Sequence, residues 1–193
     1  MTPAILAALA IGGVVAFGAI QSGVRLDLIM GNDGTASSKG KGVNLQHFSP
    51  SEFTDRYGTN WYSQMHPELL RKLDAFRERW GHPVMVSNAK GAMGRHQGPS
   101  GTSQHNVDAW GEVRAIDVFP KLPAGASGYR YIEKASERAR AYQVARAVGF
   151  TGIGLYTDTS PGDMLHVDVR PSSGVATWSR VDGNYLDIGQ VIA

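Results

Sequence analysis

The sequence has no cysteine, which removes any disulfide framework and any thiolate metal site. A metal bound by this chain must rest on histidine and carboxylate. The lack of cysteine does not reveal the compartment, because an exported protein need not contain disulfides. Net charge is nearly lacking too: 19 Lys and Arg against 17 Asp and Glu leave +2. The aromatics are not interleaved with basic clusters, so no nucleic-acid partner is expected. No basic side chain precedes Arg25, whereas a secretion signal normally begins with one. At 193 residues there is room for one domain with a proper core plus an appendage.

What the amino-terminal part does have is an unbroken apolar run at residues 3–20, PAILAALAIGGVVAFGAI, just long enough to cross a bilayer as a helix. Ala4, Ala8, Gly12 and Ala16 form a stripe of small residues that lets a neighbouring helix approach closely. Residues 1–24 are therefore expected to be a hydrophobic helix anchoring the chain in a membrane or protein assembly, with a cleaved signal as the alternative. Arg25, Lys39 and Lys41 follow the run, a bias that places what comes next in the cytoplasm. Residues 31–42, GNDGTASSKGKG, are rich in Gly and Ser, so 25–44 are expected to be a flexible tether and 45–193 the folded domain.

Chemistry concentrates in two stretches, GTSQHNVDAWGEVRAIDVFP at 101–120 and GDMLHVDVR at 162–170. Residues 113–119 read as a buried strand, yet Asp117 falls within it on the face of Val113, Ala115 and Phe119. Burying an ionised carboxylate is tolerated beside a cation, and His105 with His166 completes a three-ligand set for a divalent metal. One position left to water suits a catalytic zinc. Asp108, three residues after His105, is a competing carboxylate; Asp117 is preferred because a strand holds a ligand more rigidly than a Gly-bounded loop. Asp163 precedes His166 by three residues and is expected to accept a proton as general base. Along 164–170, Met164, His166, Asp168 and Arg170 share one face and Leu165, Val167 and Val169 the other, so Asp168 can hydrogen-bond the His166 ring from behind.

These residues carry a resemblance. Ser103-Gln104-His105, Ala115-Ile116-Asp117, Gly152-Ile153-Gly154-Leu155-Tyr156, Asp163 and His166-Val167-Asp168 resemble the motifs of the zinc D,D-carboxypeptidase and phage endolysin peptidase family, whose fold is shared with the Hedgehog signalling domain. FSPSEF at 48–53 and HVDVRPSSGVATW at 166–178 are similar as well, and the likeness covers roughly residues 45–180. It departs from the family at VDAWG, residues 107–111, which looks like a short insertion between the first two ligands. The resemblance implies Zn2+ on His105, Asp117 and His166, and a peptidoglycan stem peptide as substrate. It also implies a substrate-facing cation where Lys90 stands, with Arg95 the nearest guanidinium, and Ser103 beside them. Peptidoglycan is not in the cytoplasm, so either the charge bias is too weak to decide or the protein belongs to a virus particle that meets the wall from outside; placed with the apolar run, the resemblance implies a membrane-anchored protein of the cell envelope or a phage virion. A non-catalytic membrane- or virion-anchored module, cell-wall-binding or structural, is the alternative.

The remaining pattern is that of an α+β domain, helices packed on an antiparallel sheet. SPSE at 49–52 has capping-box spacing with proline at the first helical position. Residues 67–80 place Leu69, Leu70, Leu73, Phe76 and Trp80 on one helical face, with Gly81 as a stop. Residues 83–87 read as a strand, 88–101 and 120–128 as loops, and 132–148 as a second helix. Residues 151–156 and 164–170 read as strands joined in a hairpin, and 175–180 with 185–191 as an edge strand and a docked tail. His47, His66 and His82 are expected to take no part in chemistry.

Overall fold

In the computed structural model, which describes residues 42–193, the five apolar side chains Leu69, Leu70, Leu73, Phe76 and Trp80 lie buried along helix α1 (Pro67–Trp80). Pro67 takes the first helical position, where its missing N–H is no loss. The His66 ring caps the helix by accepting the Glu68 N–H at 3.1 Å, so that histidine has structural work. Gly81, at φ 76°, ends the helix and returns its N–H to the Arg77 carbonyl. Fully burying each such side chain contributes about 1.5–3 kcal/mol. The expected anchor at residues 1–24, and the tether as far as residue 41, lie outside the described residues. Among the described residues no helix is long and apolar enough to cross a membrane.

Seven strands form among the described residues: β1 (Val84–Val86), β2 (Ala115–Pro123), β3 (Tyr129–Tyr131), β4 (Gly152–Tyr156), β5 (Met164–Asp168), β6 (Ala176–Val181) and β7 (Asn184–Leu186). Their order is β1-β2-β5-β4-β6-β7, with β3 paired to the far end of β2. Ile116 and Val118 of β2, Ile153 and Leu155 of β4, and Leu165 and Val167 of β5 join the apolar face of α1 in one core. Ala141 and Ala145 of helix α3 (Ala135–Ala147) belong to it too. The alternate residues of the same strands face the other way, and that second face carries the site.

The class is α+β as expected, but the sheet is mixed. β4 and β5 form the expected antiparallel hairpin, whereas β6 runs parallel to β4. The reason lies in residues 169–175, which carry the chain from the end of β5 across the foot of β4 to its outer edge. Thr151 holds that crossing: its hydroxyl donates to the Arg170 carbonyl at 2.8 Å, and its own carbonyl accepts the Ala176 N–H at 2.9 Å. Two boundaries also differ from the sequence reading. β2 continues to Pro123 because Lys121 and Leu122 pair with β3, and α3 begins at Ala135 while Ile132 stays extended and fully buried.

Candidate metal centre

Strand register alone assembles most of the site. Asp117 on β2 lies opposite His166 on β5, His166 opposite Gly154 on β4, and Gly154 opposite Trp178 on β6. The neighbouring row reads Ala115, Asp168, Gly152 and Ala176. The two glycines of β4 make the room: a Cβ on Gly154 would stand 2.5 Å from Trp178 Nε1, and one on Gly152 only 2.2 Å from Asp168 Oδ2. Any side chain there would push the site apart, so the Gly-x-Gly spacing is a steric requirement of the second face.

His105 arrives from a loop that is braced rather than free. Fully buried Asn106 sends its amide to the Gly98 carbonyl at 2.8 Å and to the Gly101 carbonyl at 3.1 Å, and accepts the Gln97 N–H at 3.1 Å. The Arg95 N–H donates to the His105 carbonyl at 3.0 Å, and the Asp117 N–H to the Ala92 carbonyl at 2.9 Å, fastening the loop to β2. The VDAWG insertion folds as the single turn α2 (Val107–Trp110), closed by Gly111 at φ 71°. Asp108 on that turn bonds His96 at 2.7 Å and the Gly98 N–H at 2.8 Å. It is therefore Asp117 and not Asp108 that joins the histidines.

His105, Asp117 and His166 form a largely buried group whose ligand-type atoms lie within 4.8 Å of one another, and it could hold a metal ion. His105 Nε2 is 3.2 Å from His166 Nδ1, His166 Nδ1 is 2.9 Å from Asp117 Oδ1, and His105 Nε2 is 3.5 Å from the same oxygen. The edges of a tetrahedron about an ion bonded at 2.0–2.1 Å are about 3.3 Å, so the donor set fits. The outer ring atoms are occupied as well. His105 Nδ1 lies 3.1 Å from the Met93 carbonyl, and His166 Nε2 lies 3.2 Å from Asp168 Oδ2. Donating outward leaves each neutral ring with its lone pair turned inward. Two such lone pairs 3.2 Å apart repel unless positive charge lies between them.

A proton can supply that positive charge as well as an ion can. Burial opposes ionisation of Asp117, yet the charge of His105 and hydrogen bonds from both imidazoles hold its carboxyl far below the usual carboxylate range. Burial likewise disfavours a charged His166, but hydrogen bonds to Asp117 and Asp168 outweigh it and push its pKa up to about 9. Asp168, fully buried, is also held low despite desolvation, by His166 and by Arg170. The Arg170 Nε donates to both Asp168 oxygens, at 2.9 and 3.0 Å, and its Nη2 also reaches Oδ2. A chain of Arg170, Asp168 and His166 thus fixes one imidazole from behind.

The centre sits in a cleft of about 580 Å³. Lys90, Arg95 and Ser103, expected from the sequence to meet substrate, all line it, and Arg95 Nη2 donates to Ser103 Oγ at 2.5 Å. Tyr156, Trp178, Arg180 and Tyr185 line it too. Arg180 stacks 5.0 Å from the Tyr156 ring and Arg170 5.2 Å from the Trp178 ring. The sequence reading assigned these residues no role; the usable signal was that Tyr156 follows Gly152 and Gly154 at a period of two. Asp163 is not brought to the site. It belongs with Leu165 and Val167 on the face away from His166, is not among the residues lining the cleft, and accepts from Arg138 Nη1 at 2.7 Å. Its pKa is raised, first by burial, which the Arg138 pair offsets only in part.

Comparison with protein-family models, curated proteins and solved structures gives no match.

Proposed function

We propose that this chain is a zinc peptidase that hydrolyses peptidoglycan stem peptides, anchored to a membrane or a virion through residues 1–24. The observation that carries the reading is the donor set itself: two imidazoles with their outer nitrogens committed, and one carboxylate, at 2.9–3.5 Å from one another. Nitrogen and oxygen ligands in that number, open to a cleft, are the pattern of a catalytic zinc rather than a closed structural one.

His105, Asp117 and His166 would hold the ion, which when bound supplies Lewis acidity and a water of lowered pKa. The chain's own residues do the rest. The Met93 carbonyl and Asp168 set the two ring orientations, and Arg170 keeps Asp168 ionised and in place. Among the described residues Lys90 and Arg95 line the cleft outside any ion pair and give it positive charge that suits a peptide rich in carboxylates, whereas Arg170 and Arg180 are paired with Asp168 and Asp158. Elemental analysis of the purified full chain, with digestion of purified muropeptides, tests the reading. One zinc per chain and release of peptide products are expected; a chain that binds no zinc would refute it.

The pairing of Asp163 with Arg138 favours one second reading, a cell-wall-binding module that retains the metal without turnover. Asp163→Ala separates the cases. An enzyme that uses Asp163 as its proton acceptor loses turnover with zinc intact, one that uses another group keeps both, and a binding module has no turnover to lose.

A further inference from the structure

The site face of β4 presents Gly152, Gly154 and Tyr156 in alternation, so Tyr156 follows the two glycines that clear space for Asp168 and His166. It lines the same cleft as the three ligands. The Trp178 ring links it to them: its centroid is 5.1 Å from that of His166, and its Nε1–H donates to the Tyr156 hydroxyl at 3.0 Å. An indole nitrogen can only donate, so the phenol oxygen is the acceptor in that bond and keeps its own proton to give.

Other donors on this wall are already committed at least in part. The Thr159 hydroxyl gives its proton to the Gly162 carbonyl at 2.6 Å. Arg170 is clamped on Asp168, and the Arg180 Nε on Asp158 at 2.9–3.0 Å. Tyr185, 65% exposed, shares a hydrogen bond with the Tyr156 hydroxyl. The Tyr156 proton is therefore held by no more than one exposed side chain, which a substrate can displace. A preset donor beside a hydrolytic centre is what a carbonyl oxygen needs as it gains negative charge.

We propose that Tyr156 is a catalytic residue whose hydroxyl donates a hydrogen bond to the carbonyl oxygen of the scissile peptide bond, with Trp178 aiming that hydroxyl. The inference rests on the hydrolytic reading above. The hydroxyl keeps its proton throughout, so no bond to it is made or broken.

The test is Tyr156→Phe in the full chain, with zinc content, kcat and KM measured on one muropeptide. Removing a single preset donor of this kind costs about 10²–10³ in kcat. The expected result is that loss with zinc unchanged and KM close to the parent value. Trp178→Phe, which keeps the hydroxyl but not its aim, should lower kcat by a smaller factor. A phosphinate peptide that mimics the charged oxygen should bind Tyr156→Phe more weakly by about the factor lost in kcat. Parental kcat in Tyr156→Phe, or a rise in KM alone, overturns the inference while leaving the hydrolase reading standing. A zinc-loaded parent chain with no turnover overturns both, so the two failures are distinguishable.

Discussion

Gly152→Ala is the substitution whose effect the geometry defines most sharply. The new Cβ would lie 2.2 Å from Asp168 Oδ2, 2.3 Å from Cγ and 2.3 Å from Oδ1. Ordinary contact begins near 3.4 Å, so the carboxyl group must retreat by about 1 Å in a close-packed region where it has no free volume to enter. Asp168 is fully buried, and its bond to His166 Nε2 is already 3.2 Å, so a retreat of that size breaks it. Losing such an outer partner costs about 10–100-fold in metal affinity, roughly 1.4–2.7 kcal/mol. Overpacking adds about 1–3 kcal/mol of lost stability. Competition against a chromophoric zinc chelator reads the first quantity and thermal melting of the metal-free chain reads the second. Ile153→Val is the control: the neighbouring residue is fully buried on the core face, and the change should cost about 0.5–1.5 kcal/mol with zinc affinity untouched. Parental zinc affinity in Gly152→Ala would refute the claim that glycine is there to seat Asp168.

Further outcomes follow from other parts of the molecule. His105→Ala or Asp117→Asn should reduce bound zinc from one per chain towards none, read by elemental analysis after dialysis. Phe76→Ala empties a site of zero exposure and should cost about 3–5 kcal/mol, seen as a melting point roughly 10 °C lower. Glu137 is held at a pKa of about 2, first by hydrogen bonds from Arg130 and against its burial. Because the folded value is depressed below 4.5, its stabilisation is present above pH 4.5 and is lost as pH falls through 2. With Arg130 38% exposed, screening leaves about 1 kcal/mol of it; Glu137→Gln should remove that at pH 7 and flatten the acid limb of a urea-melt series. A chelator in excess should lower the melting point of the zinc-loaded parent and leave Asp117→Asn unmoved.

Much of this site was legible in the residues. A carboxylate inside a β-branched run, and a histidine alternating with aspartate two residues on, describe side chains on one face of a strand, and Asp117, His166 and Asp168 are found so placed. The same period of two argues against Asp163: counting back from His166 puts it with Leu165 and Val167, and Arg138 of α3 meets it there. What holds His105 was not readable, because Met93 contributes a backbone carbonyl and any residue carries one. The parallel placement of β6 was equally hidden, since strand composition is indifferent to direction and the crossing over the foot of β4 depends on Thr151 bonding residues far from it. Helix α1 was the easiest to read, its cap, stripe and terminating glycine all agreeing.

The return of β6 along the outer edge of β4 sets an order of events for a chain leaving the ribosome. All three ligands have been synthesised by residue 166, but Trp178 and Tyr185, which wall the cleft, come afterwards. A message cut short between those points yields a polypeptide with a full complement of ligands and no enclosure around them. Enclosure of this centre thus waits until β6 and β7 have emerged.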